Sequence, residues 1–318
     1  MQKTILDILR QIESVVIGKP HECRLALACL LAQGHLLIED LPGMGKTTLA
    51  QTLAKTLNLS YQRTQFTSDL LPSDVVGISI FNSETKQFEL HKGPVFNQVV
   101  LADEINRASP KTQSALLEAM AENQVSIDGV THLLPIPFFV IATQNPLFHA
   151  GTYPLPESQL DRFMMRISLG FPDIEAEKNI LLSSGVQTNT TAATLDVISV
   201  ETLILMQESI QKVHASDSII EYIIALCRVS RGQAITETED KIACKPLSPR
   251  AGKSLLSAAK AWAFIDNRDY LLPDDIKAVF HAVCEHRIEL NMQDIQHSSS
   301  STSERILNVV NVLNPLNV

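Results

Sequence analysis

Residues 40–48, DLPGMGKTT, have the types and spacing of a phosphate-binding loop. Gly43 and Gly45 allow the backbone to turn its N–H groups toward an anion, and Lys46 can reach the β- and γ-phosphates of a nucleotide. The Thr47 hydroxyl is a suitable ligand for Mg²⁺. The predicted ATP-binding residues are Pro42, Gly43, Met44, Gly45, Lys46, Thr47 and Thr48.

Two adjacent carboxylates form the second part of such a site. Asp103 and Glu104 end the sequence VVLADE, whose apolar residues predict a buried strand. Asp103 at the strand end suits the water shell bound to Mg²⁺, and Glu104, one residue further, would face the γ-phosphate and polarise the attacking water. Adjacent acids after a strand also occur at helix N-caps, and the pair by itself leaves that alternative open.

A third predicted strand, Phe138–Ala142, precedes the polar residues Thr143, Gln144 and Asn145. Open parallel sheets bind ligands at the carboxyl ends of their strands, so we expect these side chains to lie beside the loop and the acids. One position departs from the strict loop pattern, which has glycine where this chain has Asp40. For the loop alone, the alternative is a strand-to-helix turn that binds nothing.

The composition limits the classes of function. The chain has 318 residues, of which 45% are hydrophobic, enough for a substantial core and two domains. A formal charge of −9 and a pI near 5.5 argue against strong non-specific binding to nucleic acid. The five cysteines lack CxxC spacing and are predicted to be small core residues in a reducing compartment. No segment has the length of a membrane span, and we expect a cytoplasmic protein.

Strands and helices alternate through the first half of the chain, which predicts an α/β fold with a three-layer parallel sheet. Predicted helices are Thr4–Val16, Cys23–Gln33, Thr47–Leu57, Lys111–Glu122 and Glu157–Arg162. Predicted strands, besides those above, are His35–Ile38, Tyr61–Phe66 and Ile167–Leu169. Hairpins are expected from Ile78–Phe81 with Phe88–Leu90 and around Asp128-Gly129, and a turn at Leu71–Asp74.

The pattern becomes entirely helical from Ser199 onward. Apolar residues at i, i+3 and i+4 predict four helices and a short closing one: Glu201–Val213, Asp217–Ser230, Pro249–Asp266, Pro273–Glu289 and Ser303–Leu313. We therefore expect a nucleotide-binding core at 1–185, a polar linker at 186–198 and an all-α helical lid domain at 199–318.

Five separated blocks together resemble the MoxR-type AAA+ ATPases, of the helix-2-insert clade that is related to magnesium-chelatase ATPase subunits. The blocks are residues 40–48, VVLADEINRASPKTQSALLEAM at 99–120, FFVIATQNP at 138–146, GTYPLPESQLDRF at 151–163, and LSPRA with NRDYLLPDDIKA within 247–278. The resemblance implies a P-loop αβα core with a helical lid, use of ATP and Mg²⁺, and assembly into a homo-oligomeric ring of six.

The resemblance also assigns roles to single residues. It implies that Lys46 and Thr47 are the Walker A pair, with Asp103 and Glu104 as the Walker B pair. Asn145 resembles sensor 1, an amide that holds the lytic water against the γ-phosphate. For Asn145 considered alone, a turn-forming residue before a proline is the alternative.

Two arginines complete the implied catalytic set. Arg162, in LDRF, resembles the arginine finger that enters the neighbouring subunit's site, and Arg250, in LSPR, resembles sensor 2 on the lid. A guanidinium suits both roles because it is permanently charged and can bridge two phosphate oxygens. Each arginine taken alone would more simply be a solvated ion-pair partner. Arg107 is left outside the catalytic set.

Three functions remain open at this stage. The first is an ATP-hydrolysing remodeller of a protein client in metalloenzyme or complex maturation, with a von Willebrand factor A domain protein as partner, as the resemblance implies. The second is a metal-chelatase motor subunit or a DNA-acting ring, whose DNA version the acidic pI weakens. The third is a nucleotide-gated scaffold with little turnover.

Overall fold

The computed structural model describes residues 2–145, 151–183, 198–233, 242, 244–288, 301–313 and 315. The helices are α1 (Gln2–Val15), α2 (Pro20–Leu31), α3 (Lys46–Thr56), α4 (Pro72–Val76), α5 (Pro110–Glu122), α6 (Glu157–Leu160), α7 (Ile174–Ser183), α8 (Val200–Gln211), α9 (Asp217–Ser230), α10 (Pro249–Ile265), α11 (Pro273–Ile288) and α12 (Thr302–Val309). The strands are β1 (Leu36–Glu39), β2 (Tyr61–Gln65), β3 (Gly77–Asn82), β4 (Gln87–Lys92), β5 (Val99–Asp103), β6 (Gln124–Ile127), β7 (Val130–Leu133), β8 (Phe139–Gln144) and β9 (Met165–Ile167).

Five strands form one parallel sheet in the order β2-β5-β8-β1-β9. Successive side chains of a strand point to opposite faces, so each central strand supplies both apolar layers. In β1, Leu36 and Ile38 join the apolar cluster that includes α1, α2 and α3, whereas Leu37 joins the cluster that includes α5. The predicted three-layer α/β core is confirmed.

The helices of the second half pack directly on this core. Gln207 of α8 donates a 3.0 Å hydrogen bond to the Leu30 carbonyl at the end of α2. The Arg24 guanidinium lies 3.9 Å from the centre of the Trp262 ring of α10. One continuous apolar cluster extends from α1 and α2 into α8, α9, α10 and α11. The lid helices and one face of the sheet therefore share a core.

Two local predictions were wrong, and one helix was not predicted. Residues 71–74 are not a turn but the start of α4, where the Asp74 carboxylate accepts a 2.8 Å hydrogen bond from the Leu71 N–H. Strand β9 lies two residues earlier than predicted because Leu169 and Gly170 donate their N–H groups to Asp40 instead of to the sheet. Helix α7 was not predicted, since most of its apolar side chains are exposed and make no core-facing stripe.

Other predictions concern the hairpins, the linker and the cysteines. Both predicted hairpins are present, β3 with β4 and β6 with β7. The predicted linker lies outside the described residues except for Ile198. All five cysteines are unpaired, and four of them are buried. Over the described ranges, the chain has neither a helix able to cross a membrane nor a cluster of three metal-ligating side chains of the His, Cys, Asp and Glu types.

Candidate nucleotide-binding site

The predicted phosphate loop connects β1 to α3. Gly43 and Gly45 have φ angles of +86° and +88°, a backbone conformation that is costly for residues with a Cβ. A Cβ at either position would meet nothing within 4 Å, so the backbone conformation and not space explains the glycines. Gly45 directly precedes Lys46, the first residue of α3. The positive end of the helix dipole therefore faces the loop.

A cavity of about 380 Å³ opens at this helix end. Its walls combine residues from the loop and from three strand ends: Pro42, Gly43, Gly45, Lys46, Thr47, Thr48, Arg63, Gln65, Asp103, Glu104 and Asn145. The side chain of Met44 packs against the apolar core, which leaves its backbone N–H for any contact with phosphate. The tertiary structure thus gathers nearly all the predicted loop, acid and sensor residues around one space.

Lys46 is the buried cation of the cavity. Its Nζ donates to the Asp40 carbonyl at 2.7 Å and to Asn145 Oδ1 at 3.1 Å. Burial lowers the pKa of Lys46, and the carboxylates around it, Asp40, Asp103 and Glu104 among them, oppose that shift. Both acceptors of Lys46 are neutral oxygens, so its positive charge is not paired by a direct contact with a carboxylate and is available to a polyphosphate.

Asn145 joins Lys46 to Glu104. While its Oδ1 accepts from Lys46, its Nδ2 donates to Glu104 Oε1 at 3.0 Å. The amide is buried at the end of β8 and sits between the cation and the carboxylate. It is therefore positioned to hold a water that lies between Glu104 and a bound phosphate.

Asp103 has both carboxylate oxygens engaged. Oδ1 accepts from the Thr143 hydroxyl at 2.6 Å. Oδ2 accepts from Arg63 Nη2 at 2.6 Å and from Arg63 Nε at 3.1 Å. Thr143 in turn accepts a 2.8 Å hydrogen bond from the Glu104 N–H, so one hydroxyl fixes both acids.

Glu104 has a left-handed backbone conformation with φ of +55°. A residue with a Cβ adopts this conformation at an energetic cost, and such strain is concentrated at functional sites. Its Oε2 accepts from Gln65 Nε2 at 2.9 Å and from Arg107 Nη1 at 2.7 Å. The strained turn and these contacts hold the carboxylate at the cavity.

Arg63 and Gln65 were not predicted as site residues. They lie two positions apart on the edge strand β2, so their side chains share a face. In the parallel register Gln65 is opposite Asp103. The available signal was polar residues at alternate positions at the carboxyl end of a strand, but only the sheet order showed that β2 neighbours β5.

Arg162 and Arg250 are not part of the described cavity wall. Arg162 Nη1 donates to the Ser158 carbonyl at 2.9 Å, back along α6. Arg250, at the start of α10, places Nη1 3.6 Å from Asp161 Oδ2. The structure thus brings Arg250 to Asp161, the residue directly before Arg162, rather than to the chain's own phosphate loop.

Comparison with known proteins supports the nucleotide-site interpretation. The family described as "ATPase family associated with various cellular activities (AAA)" matches residues 35–165, and the AAA lid domain matches residues 235–308. The chain is 36% identical over 290 residues to chaperone MoxR1 of Mycobacterium tuberculosis, covering 90% of this chain and 76% of that protein. This chain belongs to the MoxR-type AAA+ ATPases.

Two further proteins are similar to this chain over most of its length. The YeaC protein of Bacillus subtilis is 46% identical over 284 residues, covering 89% of this chain and 86% of its own. A crystal structure of a protein assigned as an ATPase from Cytophaga hutchinsonii is 41% identical, with a TM-score of 0.87, and covers 98% of this chain and 95% of its own. Core and lid together therefore follow a known arrangement.

In this MoxR-type chain Asp40 has a structural contact that glycine could not make. Its buried Oδ2 accepts from the N–H of Leu169 and from the N–H of Gly170 at 3.1 Å. These two amides follow β9 and would otherwise lack a partner in the sheet. The departure from the strict loop pattern thus joins the phosphate loop to the end of β9.

The donor set of the MoxR-type cavity fits Mg²⁺ with a nucleotide. Mg²⁺ prefers oxygen ligands, and Thr47 and Asp103 place a hydroxyl and a carboxylate on the same cavity wall. The helix end, the left-handed glycines and Lys46 provide the donors that a polyphosphate requires. Thr47 and Asp103 are the residues that would hold the ion, and the loop with Lys46 would hold the phosphates.

Proposed function

We propose that this chain is a Mg²⁺-dependent ATP phosphohydrolase. The observation that carries the proposal is the chain of contacts from Lys46 through Asn145 to Glu104. Lys46, Asn145 and Glu104 line one cavity in this order, and this supports their assignment as phosphate-binding cation, water-orienting amide and polarising carboxylate. An arrangement that only bound nucleotide would not require the last two groups.

The residues divide the work of hydrolysis. Lys46 and the loop N–H groups bind the β- and γ-phosphates of ATP. When ATP binds, Lys46 Nζ exchanges its hydrogen bond to Asn145 for one to a phosphate oxygen. Asn145 and Glu104 orient the attacking water, and Glu104 polarises it as it approaches phosphorus. Bound Mg²⁺ would neutralise phosphate charge in the transition state.

We extend the proposal to neighbouring subunits, as the family resemblance implies. We assign Arg162 to the adjacent subunit's site as the arginine finger and Arg250 to sensor 2, with the chain assembled in a homo-oligomeric ring of six. In its own subunit Arg162 turns toward Ser158, which is compatible with action across an interface. The proposed working units are the core at 1–185 and the lid at 199–318, which would move against each other as nucleotide changes.

Remodelling of a protein client is the biological role that we propose. Support comes from the similarity to a protein named chaperone MoxR1. A von Willebrand factor A domain protein as partner and the maturation of a metalloenzyme or other complex as the outcome are the expectations of the family resemblance. Co-purification of the chain with such a partner, in ATP but not in ADP, would test this part separately.

Phosphate release and nucleotide binding, measured on three variants, test the enzymatic proposal. Wild type should release phosphate from ATP with Mg²⁺. Lys46→Ala should lose ATP affinity, because a buried phosphate contact disappears. Glu104→Gln should bind ATP in calorimetry while turnover collapses, since its size is kept and the carboxylate charge is lost. ATP binding without phosphate release by the wild type would instead favour the nucleotide-gated scaffold.

A further inference from the structure

Arg63 occupies one carboxylate oxygen of Asp103, a residue that the proposed function assigns to the metal. The Asp103 side chain is only 11% exposed, and its Oδ1 is committed to the Thr143 hydroxyl. Its Oδ2 accepts two N–H bonds from Arg63. Asp103 therefore has no oxygen free of a strong partner in this arrangement.

A guanidinium and Mg²⁺ compete for such an oxygen. Both are cations that bind carboxylate oxygen, and two cations on the same oxygen repel each other. Thr143 is buried and also receives the Glu104 N–H, so its bond to Oδ1 is part of the fixed frame. Arg63 is the partner that can leave, because its side chain is 49% exposed and extends from the edge strand of the sheet.

We propose that Arg63 is a positioning residue that holds Asp103 in place before the metal arrives and is displaced from Oδ2 when the nucleotide-bound metal binds. This inference rests on the proposed ATP site and concerns how strongly that site binds the metal. The Arg63–Asp103 pair stabilises the partly buried carboxylate before metal binds, so metal binding costs the free energy of breaking this pair. Removing Arg63 removes that cost.

The test measures how much Mg²⁺ improves binding of a non-hydrolysable nucleotide. The Kd of AMP-PNP is determined by calorimetry once in EDTA and once in saturating MgCl₂. The magnesium enhancement is the Kd in EDTA divided by the Kd in MgCl₂. Arg63→Ala is expected to raise this enhancement about fivefold, the scale of losing one partly exposed, bidentate ion pair. Arg63→Lys should give an intermediate value, because an ammonium cannot form the paired contact.

Arg107→Ala is the matched control for charge. It removes one positive charge from the same edge of the site, but Arg107 contacts Glu104 and not Asp103. If Arg63 acts by occupying Oδ2, Arg107→Ala leaves the enhancement close to the wild-type value. An equal rise in both variants would show a general field effect and overturn the inference.

The Asp103→Asn background isolates the contact itself. A change in the enhancement caused by Arg63→Ala should disappear when Asp103 is replaced, as in a double-mutant cycle. Thermal unfolding of each variant checks that the fold is retained. An enhancement unchanged or lowered by Arg63→Ala, or a rise that persists with Asp103→Asn, would contradict the role of Arg63. Failure of wild type to bind AMP-PNP in either buffer would instead refute the proposed nucleotide site.

Discussion

Arg250 of the lid lies 3.6 Å from Asp161 of the core, the residue directly before Arg162. Asp161 is shared: its Oδ1 accepts a 2.8 Å hydrogen bond from Arg287 Nε on α11. The Arg287 side chain is 5% exposed and also donates to the carbonyls of Phe163 and Met164. Two lid helices therefore hold the short segment that carries Arg162.

The first prediction concerns Arg250. Arg250→Ala should reduce the difference in protease sensitivity between the ATP-bound and ADP-bound forms, because the arginine would couple the lid to the phosphates. The free energy of unfolding should change by less than about 1 kcal/mol, since the pair with Asp161 is long and exposed. Limited proteolysis and urea unfolding measure the two effects. Lys253→Ala, one turn later on α10 and also exposed, should leave both unchanged.

The second prediction is that Arg162 acts in the neighbouring subunit. Arg162→Ala should lower ATP hydrolysis roughly 10³- to 10⁵-fold, the usual effect of losing an arginine finger, while ATP still binds. Mixing Arg162→Ala with Glu104→Gln subunits should restore part of the activity, because some interfaces then combine an intact Glu104 site with an intact Arg162. Phosphate release by the mixture is the measurement.

Subunit exchange must be shown independently for that mixing experiment. A pull-down through a tag on one variant should recover the other variant. Proven exchange with no regained phosphate release would contradict action across the interface, provided that the wild type mixed with each variant retains activity under the same conditions.

The third prediction is that Asp40, which stands where the strict loop pattern has glycine, stabilises the fold. Asp40→Gly matches that pattern but removes the acceptor of two backbone N–H groups, so it should lower the free energy of unfolding by about 2 kcal/mol. Asp40→Asn keeps one acceptor oxygen and should cost less. Urea midpoints for the two variants give the comparison. A glycine variant as stable as wild type would show that these hydrogen bonds contribute nothing.

The fourth prediction concerns His35, a buried residue directly before β1. Burial lowers the pKa of His35 to about 4, and the neutral ring accepts from the Val140 N–H and faces the Met120 carbonyl. With an ordinary pKa near 6.5, the unfolded chain binds the extra proton first. Stability should therefore fall as the pH drops from about 6.5 to about 4, by about 3 kcal/mol from this group.

Urea unfolding at several pH values tests the His35 contribution. His35→Asn should flatten the dependence between pH 6.5 and 4, although it lowers stability at neutral pH by disturbing a buried contact. His91→Asn, at an exposed position of β4, should retain the wild-type slope. An unchanged slope for His35→Asn would show that other groups cause the acid sensitivity.

The local sequence determined the parts of the fold that depend on short-range pattern. Apolar runs and helical periodicity predicted most strands and helices, and Asp128-Gly129 predicted a hairpin that is present. The residues of the phosphate loop, the acids after β5 and Asn145 could be named because their chemistry and strand-end positions are visible in the chain. Helix α7 could not be predicted in this way, because its apolar residues do not face the core.

Only the tertiary structure decided how these groups are connected. The sheet order brings Arg63 to Asp103 across 40 residues, and the end of β9 to Asp40 across about 130. Packing of the lid on the core brings Arg250 and Arg287 to Asp161. Residue spacing carries no record of such contacts, because a hydrogen bond between distant positions depends on which strands become neighbours and where a helix docks, and the whole apolar core determines both.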